Sequence, residues 1–129
     1  MQNKINLLFP VEIINRELDF RLFLACFCAR ENNRIWIGRP RVLYSLANAM
    51  RGGIYVGKNI FGLPPIITLH RYHNLKKRDF KFIQLDEEGA VYYGDQEGWK
   101  RELSWRFNPT CLEAEDYICT WGDFQRDFY

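Results

Sequence analysis

Arg34-Ile35-Trp36-Ile37-Gly38 is a five-residue, mostly apolar run closed by glycine, and Pro40 follows two residues later. A short apolar run bounded by such breakers predicts a strand, and Pro40 marks a helix start because the first helical position needs no N–H. The helix is carried on by Val42, Leu43, Leu46, Ala47 and Met50 until Gly52-Gly53 stops it. A strand that empties into a helix within two residues is one half of a strand–helix–strand unit, so the flanking sequence decides whether the unit repeats.

On the amino-terminal side, Ile5-Asn6-Leu7-Leu8-Phe9-Pro10-Val11 predicts a buried parallel strand. It opens into Glu12 and the charged group Asn15-Arg16-Glu17-Leu18-Asp19. A helix is predicted over 17–32, with Leu18, Leu22, Ala25, Cys26 and Ala29 as its inner stripe and Glu17 and Asp19 near its positive end. Phe20, Leu24 and Phe27 form a second apolar stripe, and a helix apolar on two faces is normally covered on both. Towards the carboxyl terminus, Ile54-Tyr55-Val56 predicts the third strand, the segment after Pro64-Pro65 a basic-ended helix, and Phe80 to Leu85 the fourth strand. Trp99 to Trp105 predicts a short helix, Pro109 to Ala114 a helical turn and Tyr117 to Gly122 a fifth strand, with Asp123 as the cap of a last helix. Strands and helices alternate in units of about 20 to 30 residues, which implies parallel strands with right-handed crossovers. The expectation is a single Rossmann-like α/β domain over 1–129, with a parallel sheet of about five strands and flanking helices.

Composition narrows the function. A hydrophobic content of 47% supports a real core, and a formal charge of +2 carries no global signature of nucleic-acid binding. No apolar stretch approaches the roughly 20 residues of a membrane helix, and no signal-peptide core follows Met1. The expected location is therefore cytoplasmic, with attachment to a membrane surface through the basic run from Arg71 to Lys81 left open. The four cysteines, Cys26, Cys28, Cys111 and Cys119, form no zinc-type cluster and are expected as buried reduced thiols. His70 and His73 lie about one turn apart with nothing to complete a ligand set, so surface histidines and no metal are expected. The glycine-rich dinucleotide fingerprint, the phosphate-loop lysine motif and the nucleophile elbow are all missing, which removes the readings tied to them.

In an open parallel sheet, ligands bind beyond the carboxyl ends of the strands. Those ends supply Glu12, Arg16, Glu17 and Asp19 after strand one, Lys58 and Asn59 after strand three, Asp86, Glu87 and Glu88 after strand four, and Asp123 after strand five. Three consecutive carboxylates repel one another, an electrostatic setting suited to a general base, and Gly89 permits a tight turn beside a ligand. A solvated acidic turn is the plain alternative. Arg16, Glu17 and Asp19 suit either a hydroxylated ligand or a helix start with an ion pair. Lys58 suits a phosphate or an exposed loop.

Four segments in order carry a resemblance: Pro10-Val11-Glu12-Ile13 with Arg16 to Asp19, Gly53 to Lys58, Leu85 to Gly89 with Tyr92-Tyr93, and Thr120 to Gln125. Together they resemble bacterial surface carbohydrate biosynthesis proteins. The resemblance implies the amino-terminal, acceptor-side half of a GT-B glycosyltransferase-like enzyme, with the nucleotide sugar held by a carboxyl-terminal domain or partner chain outside these residues. No cofactor is then expected in this chain, and a carbohydrate acceptor is its expected ligand. Glu87-Glu88-Gly89 also looks like the acidic-acidic-glycine motif of bacterial sialyltransferases, which implies Glu87 or Glu88 as catalytic base and Glu12, Arg16, Glu17, Asp19, Lys58, Asp86 and Gly89 as substrate-binding residues. The His-Pro pair that binds a CMP-sugar in those enzymes is missing here. The rival expectation is a non-catalytic carbohydrate- or protein-binding module, or one chain of a split enzyme, motivated by the stripe of Phe20, Leu24 and Phe27.

Overall fold

A computed structural model of the protein describes residues 4–60, 66–87 and 94–129. In chain order the elements are β1 (Asn6–Pro10), α1 (Ile14–Ala29), β2 (Arg34–Gly38), α2 (Pro40–Asn48), β3 (Gly53–Gly57), α3 (Ile66–Lys76), β4 (Phe80–Leu85), α4 (Gln96–Arg106), a 3-10 turn (Pro109–Cys111), β5 (Tyr117–Cys119) and α5 (Asp123–Phe128). The strands form one parallel five-strand sheet in the order β2-β1-β3-β4-β5, the α/β architecture expected from the alternation. The order reverses once, between β1 and β3, and a reversal of this kind opens a crevice at the carboxyl ends of the strands.

The chain divides into two compact units, Met1–Val56 with Asn74–Lys81, and Gly57–His73 with Phe82–Tyr129. In the first, β1 has a neighbour on each side, which explains why Leu7, Leu8 and Phe9 are all buried instead of alternating. One side chain joins its entry to both neighbours. The Asn6 carboxamide accepts from Trp36 Nε1 at 3.3 Å and donates to the Gly52 carbonyl at 3.4 Å.

Helix α1 differs from expectation at its start and in its rotation. It begins at Ile14 instead of Glu17, with Ile13 in an extended cap conformation that offers no side-chain acceptor. Glu17 instead ties down the incoming chain, its Oε2 accepting the N–H of Glu12, the residue before the cap, at 2.7 Å. This bond turns Glu17 inwards, and the inner face becomes Glu17, Arg21 and Ala25, one residue per turn. Of the predicted inner stripe only Ala25 is buried; Leu22, Cys26 and Ala29 are exposed. Apolar residues all round the helix could not select a face, so the buried acid does. At the other end, Asn33 Nδ2 donates to the Cys28 carbonyl at 3.1 Å and closes the last turn.

The second unit is built on aromatic contacts. Buried Phe82 meets Tyr72 edge-on at 5.4 Å, Phe107 meets Tyr129 at 5.3 Å, and Trp99 meets Phe124 at 5.6 Å. Asp116 ties the approach to β5 to the neighbouring strand, one carboxylate oxygen accepting the Phe82 N–H at 2.8 Å and the other the Glu113 N–H at 2.9 Å. Helix α5 is capped by Gly122, whose φ of +93° suits glycine, and not by Asp123, which is already helical.

None of the four cysteines is buried, contrary to expectation. Cys26 and Cys119 are exposed, Cys28 and Cys111 half-buried, and all four are free thiols. Cys26 lies on the outer side of the rotated α1, and Cys119 sits on an edge strand with one neighbour.

Candidate functional site

Beyond β1 and β2 the ladder continues for one residue, the Val11 N–H donating to the Gly38 carbonyl at 2.8 Å. There the chain splits into α1 on one side and α2 on the other, and the divergence leaves a concavity of about 460 Å³ at the carboxyl ends of the two strands. Val11, Leu18 and Ile37 contribute apolar wall, and Glu12, Asn15 and Arg39 contribute the polar groups. Arg39 is the residue before helix α2 and is exposed, with no ion pair among the described residues. A pocket of this size, with apolar walls and few polar groups, is suited to a small ligand.

The residues expected from the first loop divide between lining and support. Glu12 lines the concavity. Arg16 and Glu17 do not line it and form an ion pair of 3.1 Å, with the Glu17 side chain 1% exposed, so Glu17 serves the helix start. Asp19 is exposed on α1 and does not line the concavity. The sequence reading missed Asn15 and Arg39, although applying the strand-end rule to β2 as well would have found Arg39. It also passed over Arg21, 1% exposed and one turn after Glu17 on the buried face. An acid and a base spaced by four residues on a helix was the available signal.

In the second unit, Lys58 is half-buried in the segment after β3, and Asn59 beside it adopts a positive φ of 52°. Asp86 is buried, its Oδ2 accepting from Arg106 Nη1 at 3.0 Å, and its carbonyl accepts from Trp121 Nε1. Gln125 completes this tie between the ends of β4 and β5, its Oε1 taking the Trp121 N–H at 2.6 Å. Glu87 is half-buried next to Asp86. Glu88 and Gly89 lie outside the described residues. Asp123 pairs with Arg126 at 2.6 Å on the surface of α5.

Among the described residues no group of three or more histidines, cysteines and carboxylates is placed to hold a metal, and His70 and His73 are both exposed. Partial burial pushes the Cys28 and Cys119 thiols upwards, which disfavours the thiolate that nucleophilic chemistry requires. No helix among the described residues is long and apolar enough to cross a membrane. No protein-family model, no curated protein and no solved structure matches this chain.

Proposed function

We propose that the chain is the acceptor-side domain of a glycosyltransferase-like enzyme of bacterial surface-polysaccharide synthesis, working in the cytoplasm, and that the acceptor sugar enters the concavity at the ends of β1 and β2. The concavity itself carries this reading. A sugar presents hydroxyls at its edge and C–H groups on its faces, and the concavity offers Glu12, Asn15 and Arg39 beside the apolar surface of Val11, Leu18 and Ile37. The order of sequence segments that resemble surface carbohydrate biosynthesis proteins supports the same class. The nucleotide sugar then belongs to a further domain or a partner chain, and Glu87 and Glu88 are the candidates for the enzyme's general base, an assignment that rests on the resemblance to the acidic-acidic-glycine motif and not on the concavity.

Backbone-amide NMR titration of the chain with a panel of mono- and disaccharides tests the site. Shifts centred on Glu12 to Asn15 and on Arg39, lost in Arg39→Ala, are expected. Shifts elsewhere, or none with any sugar, would overturn the assignment. For the chemistry, Glu87→Gln and Glu88→Gln are compared in an assay supplied with the donor-binding domain; full transfer by both variants would remove the base from this turn.

One observation favours a second reading, a protein-binding module. Phe20, Phe23 and Phe27 are 40%, 68% and 64% exposed. Their spacing of three and four residues sets them on one side of α1, the pattern of a helix that anchors in a partner's groove. The Arg30 guanidinium lies 5.9 Å from the centre of the Phe27 ring at the end of the stripe. Light scattering coupled to size exclusion, with and without the product of the adjacent reading frame, distinguishes the two. A complex that Phe23→Glu dissolves supports the module, and a bare monomer throughout opposes it.

A further inference from the structure

A chain whose formal charge is only +2 concentrates five cations along one stretch of its first unit: Lys4, Arg51, Lys77, Arg78 and Lys81. They line two concavities that share Arg51, with Asp79 the one carboxylate lining either among the described residues. The larger, about 530 Å³, is lined by Asn48, Arg51, Asn74, Lys77 and Arg78. It lies where α2 and α3 end and their chains turn towards β3 and β4, away from the concavity beyond β1 and β2.

The frame around it is tied twice. The Gly52 N–H donates to the Arg78 carbonyl at 2.8 Å, and Arg51 Nε donates to Asp79 Oδ2 at 2.8 Å. Asp79 is held in a left-handed turn with φ of +64°, its own N–H donating to the Lys76 carbonyl at 2.9 Å. These bonds aim Arg51, while the side chains of Lys77 and Arg78 make no ion pair among the described residues. The negative end of the α3 macrodipole accounts for cations at Lys77 and Arg78. It does not account for Lys4, Arg51 and Lys81, which are on no helix. Cations outnumber carboxylates along these two linings, a field that attracts a further anion.

Guanidinium groups match a phosphate with paired hydrogen bonds, and a lysine adds a point charge. Two carboxamides complete the lining. Asn48 Nδ2 is engaged with the Tyr44 carbonyl at 3.1 Å, which leaves its Oδ1 to accept from a ligand hydroxyl. We propose that this concavity is a second binding site, for the phosphate of a phosphorylated polyol, presented either in solution or as a lipid headgroup. Lys77, Arg78 and Arg51 hold the phosphate, and Asn48 meets a neighbouring hydroxyl. The site is independent of the sugar-acceptor reading and stands or falls without it.

Calorimetric titration of the chain with glycerol 3-phosphate and inorganic pyrophosphate, and cosedimentation with phosphatidylcholine vesicles with and without phosphatidylglycerol, tests it. The paired variant Lys77→Gln with Arg78→Gln is compared with Lys100→Gln with Arg101→Gln on α4, which removes the same charge elsewhere, and urea midpoints confirm that both fold. Binding of a soluble phosphate, weakened roughly tenfold or more in the first variant and retained in the second, establishes a site for soluble ligands. The same pattern on anionic vesicles alone identifies the headgroup as the source. Failure of every probe to bind, or equal losses in both variants, overturns the proposal.

Discussion

Arg106 Nη1 donates to Asp86 Oδ2 at 3.0 Å, and through this bond the first carboxylate of the acidic turn holds α4 to the end of β4. The Asp86 side chain is only 4% exposed, whereas Arg106 retains an edge in solvent. Removing the cation leaves a buried carboxylate without its guanidinium. Arg106→Leu should therefore cost about 3 kcal/mol in urea unfolding. Asp86→Asn should cost less because it leaves no buried charge, and a double-mutant cycle with no coupling energy would show that the pair is incidental.

Glu17 is the second buried acid with an internal task. Glu17→Ala should remove the acceptor for the Glu12 N–H and lower stability by about 2 kcal/mol, a typical worth of a hydrogen bond to a charged acceptor. Glu17→Gln keeps an oxygen in place and should lose less. Circular dichroism with urea melts of both variants checks the ranking.

Gly52 and Gly53 separate two backbone effects. At Gly53, with φ of +157°, a Cβ would stand 2.7 Å from a Phe80 ring carbon and 2.8 Å from the Asn6 carbonyl oxygen. Gly53→Ala should lose roughly 2 kcal/mol or more from crowding and strain together. Nothing lies within 4 Å of a Cβ at Gly52, whose φ is +72°, so Gly52→Ala meets only the left-handed backbone cost of about 1 kcal/mol. Equal losses at the two positions would contradict this separation.

Phe23 projects outwards, so Phe23→Gln should change folding stability by no more than about 0.5 kcal/mol. Binding of a hydrophobic dye should fall in the same variant. A large loss of stability would place Phe23 in a core that the structure does not show.

The thiols give a pH signature. Partial desolvation raises Cys28 and Cys119 in the folded state, so their stabilising contribution is complete below the unfolded thiol value and is lost as pH climbs through the raised folded value. Cys28→Ser and Cys119→Ser should flatten the alkaline decline of the urea midpoint. In native alkylation at neutral pH, exposed Cys26 should react ahead of half-buried Cys28, with Cys26→Ser removing one of the faster-reacting thiols.

Much of the fold was legible because it rests on local signals. Arg34–Gly38 and Phe80–Leu85 match the predicted strands residue for residue, since each is bracketed by breakers and long enough to be read alone. The candidate site was legible only in outline. Applying the strand-end rule picked out Glu12, but Glu17 and Asp86 turned out to bear structural bonds, and Arg39 came from the one strand end left unread. Nothing in residue type distinguishes an acid that binds ligand from one that holds a helix.

The sequence alone determined the kind and order of elements, through apolar runs, helical spacing and the glycines and prolines between them, all of which act within a few residues. Only the tertiary structure decided the strand order with its reversal beside β1, the rotation that puts Glu17 and Arg21 inside α1 and three phenylalanines outside, and the meeting of Arg51 with Asp79. The strand order and the Arg51–Asp79 meeting depend on contacts between residues far apart in the chain, and the rotation on the pairing of a buried polar group, which outweighs local apolar preference.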